Sequence, residues 1–210
     1  MSTEPQEKNI MTPGEYLALE RASLDIRHEF YAGEIFAMVG ASRHHNRINM
    51  NLARELGIKF KADNFRCEAF SNDMRVKIEN GYVYPDIVIT CGDAEFEDNE
   101  FDTLTNPVVI MEILSDSTEL FDRTKKFFHY RKIPTLQEYI LVSQHEYWVE
   151  KYTRQSDIWG YNSYEGLDQT LTIVSANCEL PLSEIYLNVE RDCSPPESKI
   201  QKGLLSNRGR

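Results

Sequence analysis

The sequence predicts an α/β (α+β) fold, a mixed β-sheet core flanked by helices with additional antiparallel hairpins, on three observations. Two apolar runs of strand length lie close together, Ile87-Val88-Ile89 and Val108 to Leu114. Apolar residues at helical spacing precede them, and a further helical pattern follows from Asp122 to Lys132. From His145 onward the pattern changes to period-two alternation broken by turns, which reads as hairpins extending the sheet or building a dimer face. A chain of 210 residues suits one domain with a real core. Residues 11–190 are assigned to that domain, 1–10 to a flexible tail and 191–210 to a polar tail.

Taken in order, Thr12 caps a first helix with Pro13 in its opening turn. His28 to Tyr31 and Glu34 to Met38 form a hairpin through Ala32-Gly33. Ser42 caps a helix from about Arg43 to Lys61, whose Ile48, Leu52, Leu56 and Phe60 recur every four residues and pack on the sheet. Cys67 to Ile78 reads as the first core strand, turning at Glu79-Asn80-Gly81 into the strand that Asp86 begins. Ile133-Pro134 ends the later helix, and Glu138 to Val142 is a fourth strand. Leu182 to Val189 closes the domain as a short helix.

The net charge of −11 argues against a protein that holds nucleic acid by overall charge alone. Part of the acid is segregated into the spacer with Asp93, Glu95, Glu97, Asp98, Glu100 and Asp102, read as a solvated loop. Arg123, Lys125, Lys126, Arg131 and Lys132 form a local basic patch. No apolar run is long enough to cross a bilayer, and the first residues are too polar for a secretory signal, so a cytoplasmic protein is expected. The four cysteines have no C-x-x-C spacing, and reduced thiols are the default. Phosphate-cradling glycine loops, G-x-S-x-G and H-E-x-x-H are all missing from the sequence.

Chemistry is sought at two carboxylates within the apolar strands. Glu112 sits inside a run that reads as buried on both faces, where an ionised carboxylate needs a partner, a proton or a metal. Asp86 follows Pro85 at the start of the other strand. If the strands are neighbours, the two acids converge on one hard cation, with the main-chain carbonyl of Ile113 as a third ligand. Bland alternatives stand beside each. Pro-Asp is an ordinary strand boundary, a lone strand Glu pairs with Arg or Lys, and Asp122 and Lys126 have the spacing of a surface ion pair.

With those residues, the chain resembles the PD-(D/E)XK nuclease superfamily, specifically its Uma-type branch of restriction-endonuclease-like proteins. The resemblance runs from Tyr16 to Val189 through E-F-Y-A-G-E-I-F-A-M, A-S-R-H-H-N-R-I, S-N-D-M-R-V, Y-P-D-I-V-I, M-E-I-L-S-D-S-T, D-R-T-K-K-F-F-H-Y-R and L-Q-E-Y-I-L-V. It implies a restriction-endonuclease-like core and a metal-dependent endodeoxyribonuclease, with Mg2+ as cofactor, Mn2+ as substitute and DNA as substrate. It further implies Asp86, Glu112 and Lys126 as catalytic residues. The superfamily's usual lysine lies two residues after the second acid, where this chain has Leu114, so Lys126 on the following helix fits the position, ahead of Lys125. Glu34 and His45 match family motif positions and Asp73 stands near, as supporting residues, although Asp73 equally suits a salt bridge to Arg75 or Arg66. Cutting both strands of a duplex needs two sites, so a homodimer is expected. The alternative is a catalytically inactive nuclease fold that serves as an interaction or regulatory module.

Overall fold

The structure, a computed structural model, describes residues 11–38, 40–62 and 66–190; the two expected tails lie outside them. Helix α1 (Pro13–Ala22) opens on a capping box, with the Thr12 hydroxyl accepting from Glu15 N–H and the Glu15 carboxylate accepting from Thr12 N–H. The expected hairpin follows as β1 (His28–Tyr31) and β2 (Glu34–Ala37), and then the 20-residue helix α2 (Arg43–Ala62). Next come β3 (Cys67–Ser71), β4 (Arg75–Ile78), β5 (Gly81–Val83), β6 (Ile87–Cys91), β7 (Thr103–Leu104) and β8 (Val109–Leu114). A helical stretch then runs without a break through α3 (Glu119–Phe121), a π-turn (Asp122–Lys126) and α4 (Phe127–Tyr130). Strands β9 (Glu138–Ser143), β10 (Trp148–Gln155), β11 (Ile158–Glu165), β12 (Thr170–Ile173) and β13 (Cys178–Pro181) lead to α5 (Leu182–Ile185).

The central sheet has six strands in the order β11-β10-β9-β8-β6-β3. Its β8 and β9 are parallel, as the intervening helical stretch requires, and its other pairs are antiparallel. One face is covered by Ile48, Leu52 and Leu56 of α2 together with Leu171, Ile173 and Leu180 of the β12–β13 hairpin, packed on Ile87, Ile89, Met111, Ile113 and Ile140. Each of the three α2 side chains is fully buried and contributes about 1.5–3 kcal/mol on burial. The opposite face carries Val88, Ile110, Leu114, Tyr139 and Leu141, covered by Tyr130 of α4 and by Val76, Ile78 and Val83 from a second, five-stranded sheet, β2-β1-β5-β4-β7.

That second sheet corrects the expected single strand from Cys67 to Ile78. Ser71 ends one strand in the central sheet, and Arg75 begins another in the second sheet. Asn72 makes the change of direction in the left-handed region, φ 60°, which Asn tolerates better than most residues. Its N–H donates to Asp86 O at 3.0 Å, and its side-chain oxygen accepts from Asn49 Nδ2 at 3.0 Å.

Two further expectations change. Cys67 and Cys91 face each other in the β3–β6 register and are joined as a disulfide, whereas reduced thiols were expected. The acidic spacer is a strap rather than a freely solvated loop. Arg21 of α1 bonds Asp98 at 2.7 Å and Asp102 at 2.9 Å, and the buried Arg75 stands as an ion pair 2.8 Å from Asp102. Among the described residues, no helix is long and apolar enough to cross a membrane.

Candidate active site

The β6–β8 ladder pairs Ile87 with Met111, so one step further Asp86 stands across from Glu112. By the period of two, the Glu112 side chain leaves β8 on the same face as Ile110 and Leu114, toward the second sheet. The two acids thus stand on neighbouring strands, as the sequence suggested. Glu112 is buried, whereas the Asp86 side chain keeps 17 % of its exposure. Asp86 Oδ2 accepts the Ile113 N–H at 2.7 Å, and His45 Nε2 of α2 lies 3.2 Å from the Asp86 carboxylate. His45 Nδ1 is buried and has no hydrogen-bond partner among the described residues.

Lys126 arrives from the π-turn and is buried. Its Nζ stands 3.1 Å from Glu112 Oε1, 3.2 Å from Glu29 Oε1 and 3.4 Å from Asp122 Oδ1. Asp122 is buried too, so the pair four residues apart is no surface ion pair, and Lys125 is exposed beside Phe121. Asp122, Lys126 and Tyr130 recur every four residues and face inward, where the Tyr130 hydroxyl donates to Glu112 Oε1 at 2.8 Å. Within the π-turn, Tyr139 supplies a donor to the Asp122 main-chain carbonyl at 3.0 Å.

The supporting residues separate. His45 joins the site. Asp73 does not: its side chain is 73 % exposed and pairs with Arg27 at 3.5 Å, not with Arg75 or Arg66. Glu34 shares a face with Glu29 and Tyr31 through the hairpin register, but it sits exposed on the edge strand β2. The hairpin carboxylate at the cluster is Glu29, which the sequence reading passed over. Its Oε1 accepts the Tyr84 N–H and its Oε2 accepts the Tyr31 hydroxyl, both at 3.1 Å. Hairpin patterning alone could not separate Glu29 from Glu34, because the choice turns on β1 being interior and β2 at the edge of its sheet. For Asp122 and Tyr130 the spacing with Lys126 was a legible signal.

Charge is unbalanced here. Burial pushes the Glu112 carboxyl well above its ordinary value, opposed by Lys126 and reinforced by Asp122, Asp86 and Glu29. Burial likewise raises Asp122, with Lys126 opposing. For Lys126 burial acts downward, but Glu112, Glu29 and Asp122 outweigh it and hold the ammonium charged. Three carboxylates around one lysine, with Asp86 on the adjoining strand and Asp122 Oδ1 buried without a hydrogen bond among the described residues, form an oxygen-rich set that suits added positive charge. Among the described residues no three His, Cys, Asp or Glu side chains converge as a closed metal cage. An ion that binds through one or two carboxylates and keeps most of its water, as Mg2+ does, fits this donor set.

The basic patch is largely neutralised by neighbours. Arg123 pairs with Glu119 at 2.9 Å and also with Glu150, while Lys132 pairs with Glu79 at 2.7 Å.

Comparison with known proteins gives the family and the fold. The sequence profile of the family described as "Uma2: Putative restriction endonuclease" matches residues 13–183. Two proteins of Synechocystis sp. (strain ATCC 27184 / PCC 6803 / Kazusa), each named only as uncharacterized, are similar. One is 41 % identical over 150 residues, covering 70 % of this chain and 83 % of its own. The other is 32 % identical over 179 residues, covering 84 % of this chain and 91 % of its own. Among solved structures, one titled a "putative nuclease belonging to DUF820" from Anabaena variabilis ATCC 29413 superimposes with a TM-score of 0.63, covering 76 % of this chain and 89 % of that one. At 18 % identity that likeness shows a shared fold.

Proposed function

Because the chain belongs to the Uma2 family of restriction-endonuclease-like proteins, we propose that it is a divalent-metal-dependent endodeoxyribonuclease that hydrolyses phosphodiester bonds in DNA. The observation that carries the reading is the Lys126 ammonium 3.1 Å from Glu112, with Asp86 across from that acid on the adjoining strand. Asp86 and Glu112 would hold Mg2+, with Mn2+ as a substitute, together with the main-chain carbonyl of Ile113. The N–H and C=O of a strand residue point to the same side. Since Ile113 N–H points at Asp86, its carbonyl faces that side as well, beyond the last β6–β8 pair.

A bound divalent ion would polarise the scissile phosphate and lower the pKa of an attacking water. The chain's own residues do the rest. Asp86 Oδ2 is fixed by the Ile113 N–H and Oδ1 lies 3.2 Å from His45 Nε2, while the side chain keeps 17 % of its exposure toward incoming groups. Glu112 is oriented by the Tyr130 hydroxyl. Lys126, held charged by its carboxylates, suits stabilisation of the negative charge that develops on the phosphate better than removal of a proton from water. A two-fold homodimer in the cytoplasm would cut both strands of a duplex.

The test is cleavage of supercoiled plasmid with Mg2+ or Mn2+ by the wild type beside Asp86→Ala, Glu112→Ala and Lys126→Ala. Metal-dependent nicking lost in all three variants supports the reading; nicking retained by Asp86→Ala sinks the metal assignment. A second reading, an inactive nuclease fold that binds a partner, is favoured by the net charge of −11 and by the pairing of Arg123 and Lys132 with acids. It predicts a folded protein that binds no metal at millimolar Mn2+.

A further inference from the structure

Three carboxylates surround the Lys126 ammonium, at 3.1 Å from Glu112, 3.2 Å from Glu29 and 3.4 Å from Asp122. Of these, only Glu112 is also assigned to the metal. A divalent ion drawing on Glu112 brings a second positive charge beside the lysine, in a buried setting where like charges repel strongly. Glu29 and Asp122 then remain as the counter-charges. Both are fixed from outside the cluster. Glu29 is bound by the Tyr84 N–H and the Tyr31 hydroxyl, and Asp122 sits one turn before Lys126 on the stretch that Tyr139 pins through the Asp122 carbonyl.

We propose that Glu29 and Asp122 are positioning residues for Lys126, which hold its ammonium in place so that Glu112 is free to serve a divalent ion. The proposal rests on the metal reading above, and it gives both carboxylates a role through the lysine, with neither touching the ion. Without either one, the ammonium leans harder on Glu112 and competes with the metal for it. A carboxylate bound to the ion directly acts whether or not the lysine is charged. The two cases separate in a double-mutant cycle.

The experiment is Mn2+ titration by calorimetry of the full chain, which needs no nuclease activity. The proteins are the wild type, Glu29→Gln, Asp122→Asn, Lys126→Gln and the two double variants. Each amide variant is expected to weaken Mn2+ binding about tenfold with Lys126 present, the range seen when groups supporting metal ligands are altered. With Lys126→Gln the same changes are expected to cost less than about threefold, because the group they act through is gone. Equal losses in both backgrounds overturn the proposal in favour of direct ligation, and no loss in either leaves the carboxylates purely structural. A wild type that binds no Mn2+ removes the metal reading itself, whereas binding without coupling removes only this inference. Should Lys126→Gln fail to fold by circular dichroism, Glu29→Asp and Asp122→Glu decide. These keep the charge and are expected to retain affinity within about threefold while the amides lose about tenfold; equal losses by acid and amide overturn the proposal.

Discussion

Lys126 Nζ lies 3.1 Å from Glu112 Oε1 although the two residues are 14 apart in the chain and on different elements. The helical stretch after β8 carries the ammonium across the sheet face to the acid. The π-turn that ends at Lys126 makes that delivery, with Asp122 and Tyr130 on the same inward side.

Neutralising this lysine is expected to be costly for stability as well as for activity. Lys126→Met leaves buried carboxylates without their counter-charge, and a loss of about 3–5 kcal/mol in urea unfolding is expected. Lys125→Met, at the exposed neighbour, should stay within about 0.5 kcal/mol. Comparable losses at the two positions would contradict the burial that distinguishes them.

Gly81 bears on the site through β1. It pairs with Tyr31, and a Cβ at Gly81 would stand 1.9 Å from the Phe30 carbonyl oxygen. Gly81→Ala therefore has to push β5 away from the strand that carries Glu29. A destabilisation of about 1–3 kcal/mol is expected, since overpacking against backbone has no side chain to yield. Thermal melts of the variant beside the wild type measure it, and an unchanged midpoint would refute the close approach.

The acidic strap makes stability depend on pH. Hydrogen bonds from Arg21 hold the Asp102 carboxyl well below its ordinary value; burial opposes this and Arg75 adds to it. A carboxyl lowered on folding contributes stability that is fully present above its unfolded value, near 3.8, and is lost as pH falls toward the folded value. Melting temperature should therefore fall progressively as pH drops below about 4, and Asp102→Asn should flatten part of that slope. If the variant keeps the wild-type slope, the strap is not the titrating element.

Thiol counting under denaturing, non-reducing conditions checks the Cys67–Cys91 bond. Two of the four cysteines should be unreactive until a reductant is added. In the chain-entropy account, closing a loop with a sequence separation of 24 stabilises by about 3 kcal/mol, so reduction should lower the unfolding midpoint of the wild type. Cys67→Ala, which has no bond to lose, should be insensitive to reductant. Four reactive thiols in the untreated protein would return the pair to the reduced state that spacing alone suggests.

What the sequence determined by itself is local. The Thr12 cap, the turn at Ala32-Gly33, the periodicity of Ile48, Leu52 and Leu56, and the apolar runs at Ile87 and Val109 each depend on residues a few positions apart, so pattern and element agree. The placement of Glu112 in a buried strand was legible for the same reason, since a carboxylate among branched apolar residues stands out. What only the tertiary structure decided is which distant groups meet. The left-handed turn at Asn72 splits one apparent strand between two sheets, and that brings β1 beside β5 and Glu29 to Lys126. It leaves Asp73 exposed and puts Cys67 opposite Cys91. Strand order and the choice between an interior and an edge strand depend on burial summed over the whole core, and no window of sequence contains that sum.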